Sequence, residues 1–252
     1  MMKNVPGEAI PFSRLAPEPF NPEKDAAIDM YMRNWRESMP TYSHGSLIER
    51  DILTRGNANN PETRGAVLTY AERFTYATLY TGAWTTPTTL DGTQEVLYIL
   101  SGKGTIITEN TTADLYPGIG VLVPGECEFT MKNTGDEPLT MYLLSEQYPE
   151  GFDCNDDILV VDENKRPLGT GNPHWVGCSK GLFNTGDGLA TIKNTITVRF
   201  DPMTMFHPHS HRRGTEEVWT TIYGDAHVLI GKQIRSQPPG TAYNIPPVLM
   251  VE

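Results

Sequence analysis

The chain has 252 residues and a formal net charge of -11, from 20 Lys and Arg against 31 Asp and Glu. That sign argues against nucleic acid, whose phosphates need clustered Lys and Arg, and against anionic membranes, and no apolar stretch is long enough to span a bilayer. Hydrophobic residues make up 38%, so a packed core is expected, while 23 Gly and 20 Pro spread along the chain suit short strands and turns better than long helices.

In chain order, the opening stretch to Phe20 lacks the apolar centre of a signal peptide, so a cytoplasmic location is the default expectation. Asn21 to Met39, NPEKDAAIDMYMRNWRESM, has apolar residues at roughly helical spacing and predicts one helix, the core of an N-terminal arm over residues 1–45. From residue 46 to 149 the pattern changes to short strands rich in β-branched and aromatic residues, Val96 to Leu100 and Gly104 to Thr108 among them. Residues 150–180 are polar and carry Pro and Gly, as a connector would. Within them His174-Trp175 reads as a packed contact rather than a site. Strand patterning resumes over 181–252. The three cysteines, Cys127, Cys154 and Cys178, have no metal or disulfide spacing and read as free thiols.

The two strand-rich stretches repeat one another. EVLYILSGKG, from Glu95, resembles EVWTTIYGDA, from Glu217, and in each the Glu precedes a turn glycine, Gly102 or Gly224, by seven residues. Pro117-Gly118 answers Pro239-Gly240 at the same offset from the Glu, and Pro124 answers Pro246. Upstream, the segment from Gly65 parallels that from Gly186.

The densest chemistry lies in FHPHSHRRGTEEVW, from Phe206 to Trp219. On a strand, residues two apart share a face, so His209 and His211 can point inward together and meet a carboxylate from the next strand. Imidazoles with a carboxylate suit Fe, Mn, Zn, Ni or Co, with positions left open for water or substrate. His207 is next to the pair, and it and Glu216 are candidates for a general base by proximity alone. Arg212 offers a bidentate hold on an anion, and Trp219 and Tyr243 offer a substrate wall, although a solvated turn and ordinary core packing explain the three as well. The sequence contains no GxxxxGK[ST], GxGxxG after a strand, GxSxG or HExxH pattern.

These residues resemble the first motif of the cupin superfamily: a Gly, HxH, three or four residues, a Glu, then six residues and a Gly. His209 and His211 match the HxH pair. Counting back from Gly224 selects Glu217 as the third ligand, and counting forward from His211 selects Glu216; the repeat partner Glu95 favours Glu217. PPGTAYNIPP, from Pro238, resembles the start of the second cupin motif, whose His aligns with Val251 just before the sequence ends at Glu252. The expectation is a shortened form of a longer chain, with that His beyond residue 252. In the first stretch the HxH positions fall on Thr88 and Leu90, and Phe129 replaces the second-motif His; Asn133 fits and Glu95 survives. That half should pack an apolar interior and hold no metal.

The resemblance implies an all-β fold of two tandem double-stranded β-helix barrels, a bicupin, with a short helical N-terminal arm. It further implies a divalent metal held by His209, His211 and Glu217, a small-molecule substrate and pairing into a homodimer. The activity would be that of a metal-dependent dioxygenase, isomerase or lyase acting on a sugar derivative, organic acid or catechol-like compound. A non-catalytic binding or structural bicupin with a vestigial site is the alternative.

Overall fold

The computed structural model describes residues 28–169, 177–206, 209–210, 215–231, 233–245 and 250–251, and among them there is no α-helix. The first half carries β1 (Met32–Asn34), β2 (Pro40–Ser43), β3 (Leu47–Arg55), β4 (Ala66–Leu68), β5 (Ala71–Leu79), β6 (Thr93–Ser101), β7 (Gly104–Ile107), β8 (Thr112–Leu115), β9 (Ile119–Val123), β10 (Thr130–Asn133) and β11 (Leu139–Gln147). β12 (Leu159–Asp162) lies in the connecting stretch. The second half carries β13 (Gly177–Asn184), β14 (Asn194–Phe200), β15 (His209–Ser210), β16 (Glu217–Thr220), β17 (Ala226–Ile230), β18 (Gln233–Gln237), β19 (Thr241–Ile245) and β20 (Met250–Val251). No described helix is long and apolar enough to cross a membrane.

In the first half one sheet runs β12-β9-β6-β11-β5-β3-β2, with β4 beside β3, and a second runs β10-β7-β8. Alternate side chains from both, such as Leu97, Val121, Met141, Ile106 and Met131, are buried together as the interior. The other face is buried too: Val96 and Leu122 pack on Leu182, Phe183 and Leu189 of the second half. Burial on both faces explains why β9 is the unbroken apolar run IGVLV rather than an alternating one.

The second half repeats the register of the first. β6 and β9 set Glu95 opposite Val123 and Tyr98 opposite Gly120; β16 and β19 set Glu217 opposite Ile245 and Thr220 opposite Ala242. β7 and β8 begin with Gly104 opposite Leu115, β17 and β18 with Ala226 opposite Gln237. Gly102 and Gly224 hold left-handed φ values of 83° and 84°, as turns between such strands require. A Cβ on Gly102 would meet the Pro138 carbonyl oxygen at 2.5 Å. Among the described residues no strand stands between β14 and β16, where the first half has β11 between β5 and β6.

The helix expected over Asn21–Met39 is not found in its described part. Ile28–Tyr31 and Trp35–Glu37 are single 3-10 turns around β1, and β1 pairs with β19 in the second half. Asn34 caps the second turn by accepting from the Arg36 N–H, and the Trp35 N–H donates to Gly240 O at 3.2 Å. β12 does the same for the first half: it pairs with β9, Asp162 accepts from the Asn164 N–H, and the Glu163 N–H donates to Gly118 O at 2.9 Å. The apolar spacing that suggested a helix is satisfied otherwise. Ile28 and Met32 enter one buried cluster with Tyr243, and Tyr31 enters another with Ile52 and Phe74. Tertiary pairing overrides a weak local preference here.

Two carboxylates tie the halves together. Glu146, 1% exposed, accepts from the backbone N–H of Ala190 (3.0 Å), Thr191 (2.8 Å) and Ile192 (2.7 Å), the Thr191 hydroxyl (2.6 Å) and the Gln94 amide (2.6 Å). Reciprocally, Glu216 accepts from the N–H groups of Thr69, Tyr70 (3.3 Å) and Ala71 (3.2 Å) at the entry to β5. Runs of consecutive N–H groups form a concavity suited to an anion.

Candidate functional site

In the second half, β15 sets His209 opposite Val251, and Val251 in turn faces Ile230 of β17. The first half has Thr88 opposite Phe129 in the matching place. Glu217 opens β16 two residues before Trp219, so both lie on one face, and Tyr243 of β19 stands opposite Trp219. That face is the interior of the second half, where Trp219 and Tyr243 pack with Val228, Ile230 and Ile245. Phe206 leans on Trp219 with ring centroids 5.5 Å apart. Burial holds the Tyr243 phenol well above its usual range, and the Glu217 charge adds to the shift, so the phenol stays protonated.

Glu216, next to Glu217 and therefore on the opposite face, has its carboxylate committed to the three N–H groups of Thr69 to Ala71. That bonding corrects its candidacy as a base: an acceptor filled by backbone donors of the other half is a clamp. His207, His211 and Arg212 lie outside the described residues, as do His174 and Trp175. Among the described residues, no three His, Cys, Asp or Glu groups converge as a metal set.

The interior of the first half departs from the apolar packing expected of it. Leu90, Phe129 and Leu97 are buried together in it. Beside them, Glu95 is 1% exposed and lies between two partners: His44 Nε2, 3.0 Å from its Oε2, and Arg73 Nη2, 2.7 Å from its Oε1. Arg73 also reaches buried Glu49, Nε to Oε2 at 3.2 Å, and the Thr75 hydroxyl donates to the same carboxylate at 2.8 Å. A turn with positive φ at His44 (48°) and Gly45 (79°) carries the imidazole in, where it meets Phe129 edge-on at 5.4 Å.

The electrostatics follow from this packing. Burial raises Glu95 from 4.5 to about 7; Arg73 opposes that rise and Glu49 adds to it. Burial also depresses His44, so its imidazole resists taking a second proton. Glu49 is as deep, but Arg73 and the Thr75 hydroxyl hold it below its ordinary value despite burial. Burial works against the Arg73 charge, yet its two carboxylates raise its pKa. The result is a network in which one guanidinium is shared by two carboxylates.

Sequence reasoning placed Glu95 but missed His44, Glu49 and Arg73. Parity was the available signal. Arg73 and Thr75 alternate with Phe74 on β5, on the same face as Ala77 and Leu79, which belong to the interior. A charge of each sign on an inward face predicts a buried pair.

Residues 75–145 match a family profile described as Cupin domain. Solved structures with the same fold include a structural-genomics target from Pseudomonas aeruginosa bearing the name glyoxylate induced protein (TM-score 0.67, 11% identity, 87% of this chain and 81% of that one). Lactobacillus farciminis oxalate decarboxylase, solved as a formate complex, gives a TM-score of 0.64 at 11% identity over 88% and 80% of the two chains. Momordica charantia 7S globulin gives 0.62 at 13% identity over 88% and 79%. No curated protein matches the sequence. The fold is thus the all-β barrel fold of the cupins, and it is shared by a decarboxylase and a globulin alike.

Proposed function

We propose that the chain is a bicupin, with one barrel over 46–149 and the other over 181–252, and that it binds a divalent transition metal in the second barrel alone. His209, His211 and Glu217 would hold the ion, whether Fe, Mn, Zn, Ni or Co. The observation that carries this reading is the division of labour at Glu216-Glu217: the first is spent on backbone donors, while the second opens β16 on the interior face, in the register of Glu95. An imidazole on β15 and a carboxylate on β16 fit the donor chemistry of such an ion.

The activity best supported is that of a metal-dependent dioxygenase, isomerase or lyase on a small oxygenated molecule. The bound ion would supply Lewis acidity toward a substrate oxygen. Trp219 and Tyr243 wall the interior, and the protonated Tyr243 phenol is a donor with its proton held at Oη. Arg212 is positioned in sequence to steady an anionic substrate, and His207 is the remaining candidate for moving a proton. A homodimer in the cytoplasm completes this reading. A second reading, a non-catalytic bicupin, is favoured by one observation: the first half has Thr88, Leu90 and Phe129 at the family's ligand positions.

Elemental analysis of the purified protein beside a His209→Ala/His211→Ala chain tests the proposal. Near-stoichiometric metal that is lost in the double variant supports it. Absence of metal after reconstitution with each candidate ion overturns it and leaves the binding or structural reading.

A further inference from the structure

We infer that the first half carries its own cation in place of a metal: the Arg73 guanidinium fills the electrostatic position beside Glu95 that a metal ion takes beside Glu217, and so keeps that half metal-free. Glu95 and Glu217 open equivalent strands in the same register. Around Arg73 stand the donors a cation would want. Glu95 Oε1 is 2.7 Å from Nη2, Glu49 Oε2 is 3.2 Å from Nε, and His44 Nε2 is 3.0 Å from the second oxygen of Glu95. With both carboxylates ionised, the guanidinium leaves the cluster one negative charge in excess. Without it, two carboxylates would face each other in a water-poor interior with no counter-charge.

The second half supports the contrast. The entry to β5, Thr69 to Ala71, and the entry to β14, Ala190 to Ile192, occupy matching places in the reciprocal clamps. Counted from there, Arg73 corresponds to Asn194, which opens β14 opposite Asn184. A neutral amide holds the strand position where the first half has its cation. The comparison with Glu217 rests on the proposed second-half site.

The test uses the full chain with His209→Ala/His211→Ala as background, so that the second-half site is removed and its own success or failure is scored separately. Into that background Arg73→Ala is introduced, and Zn, Mn and Co are offered as the free metals. The expected result is a rise from no bound metal to near one equivalent, with a thermal midpoint that climbs on adding metal, and loss of both when His44→Ala is added. Arg73→Gln, neutral but still able to donate to one carboxylate, guards against misfolding of the alanine chain. A chain that folds only with metal present also supports the inference. A folded Arg73→Ala or Arg73→Gln chain that binds no more metal than its background overturns it, as does aggregation of both that no metal relieves.

Discussion

At Glu95 a carboxylate is held between an imidazole and a guanidinium, almost out of reach of water, and its protonation becomes a stability term. Its pKa is 4.5 when exposed and about 7 in the fold, so between those values the folded chain keeps a proton that the unfolded chain has released. The stability contributed by that proton is full below pH 4.5 and lost as pH rises through about 7. Glutamine imitates the protonated acid at every pH. Glu95→Gln should therefore match the parent near pH 4 and exceed it by about 3 kcal/mol at pH 8, read as the shift in urea midpoint. A pH-independent difference between the two chains would show that Glu95 is ionised throughout. The same residue marks how far the sequence was legible at this scale. Glu95 and Glu217 were found through their spacing to glycine. His44, Glu49 and Arg73 were not, because they come from three different segments and meet only through the turn at Gly45 and the inward parity of β3 and β5.

Among the elements, strand register was legible because it is written twice. The spacing from Glu to turn glycine to Pro-Gly is the length of β6, β7 and β8 with their turns, and β16 to β18 repeat it with the same partners. The N-terminal element was misread for a physical reason. Its apolar residues are spaced like a helix face, but β1 gains backbone hydrogen bonds from β19, a strand some two hundred residues later that no local pattern announces. The clamps were hidden for the same reason, and they yield a graded expectation. Removing the Glu146 carboxylate leaves five donors, one buried and four part-buried, without their acceptor, so Glu146→Ala should cost about 3 kcal/mol. Glu216 serves three backbone donors in a more exposed place, like a helix cap, and Glu216→Ala should cost about 1–2 kcal/mol. Denaturant titration of the two variants gives the order directly. Equal costs would mean that the clamp at Glu216 is as dry and as rigid as that at Glu146.

Over the whole molecule, each half is finished by a strand that the chain supplies from elsewhere. β1, from the N-terminal end, extends the β16-β19 sheet of the second half, and β12, from the connecting stretch, extends the β9-β6 sheet of the first. The outer face of β6 and β9 is covered by Leu182 and Phe183, and that of β16 and β19 by Ile52, Leu53 and Phe74. Neither half can unfold without exposing the apolar surface and the polar edge of the other. Denaturation should therefore be a single cooperative transition, with Trp35 in the N-terminal segment and Trp219 in the second half reporting the same midpoint. Met32→Ala sharpens the test. Met32 is 3% exposed, on β1, and buried with Ile28, Val228, Ile230 and Tyr243, so its truncation should cost about 2–4 kcal/mol. If the halves are coupled, that loss moves the midpoint for both tryptophans and lowers hydrogen-exchange protection in β9 as well as in β19. If β9 keeps its protection while β19 loses it, the halves are separate folding units that touch, and the strand exchange between them stabilises only the half it joins.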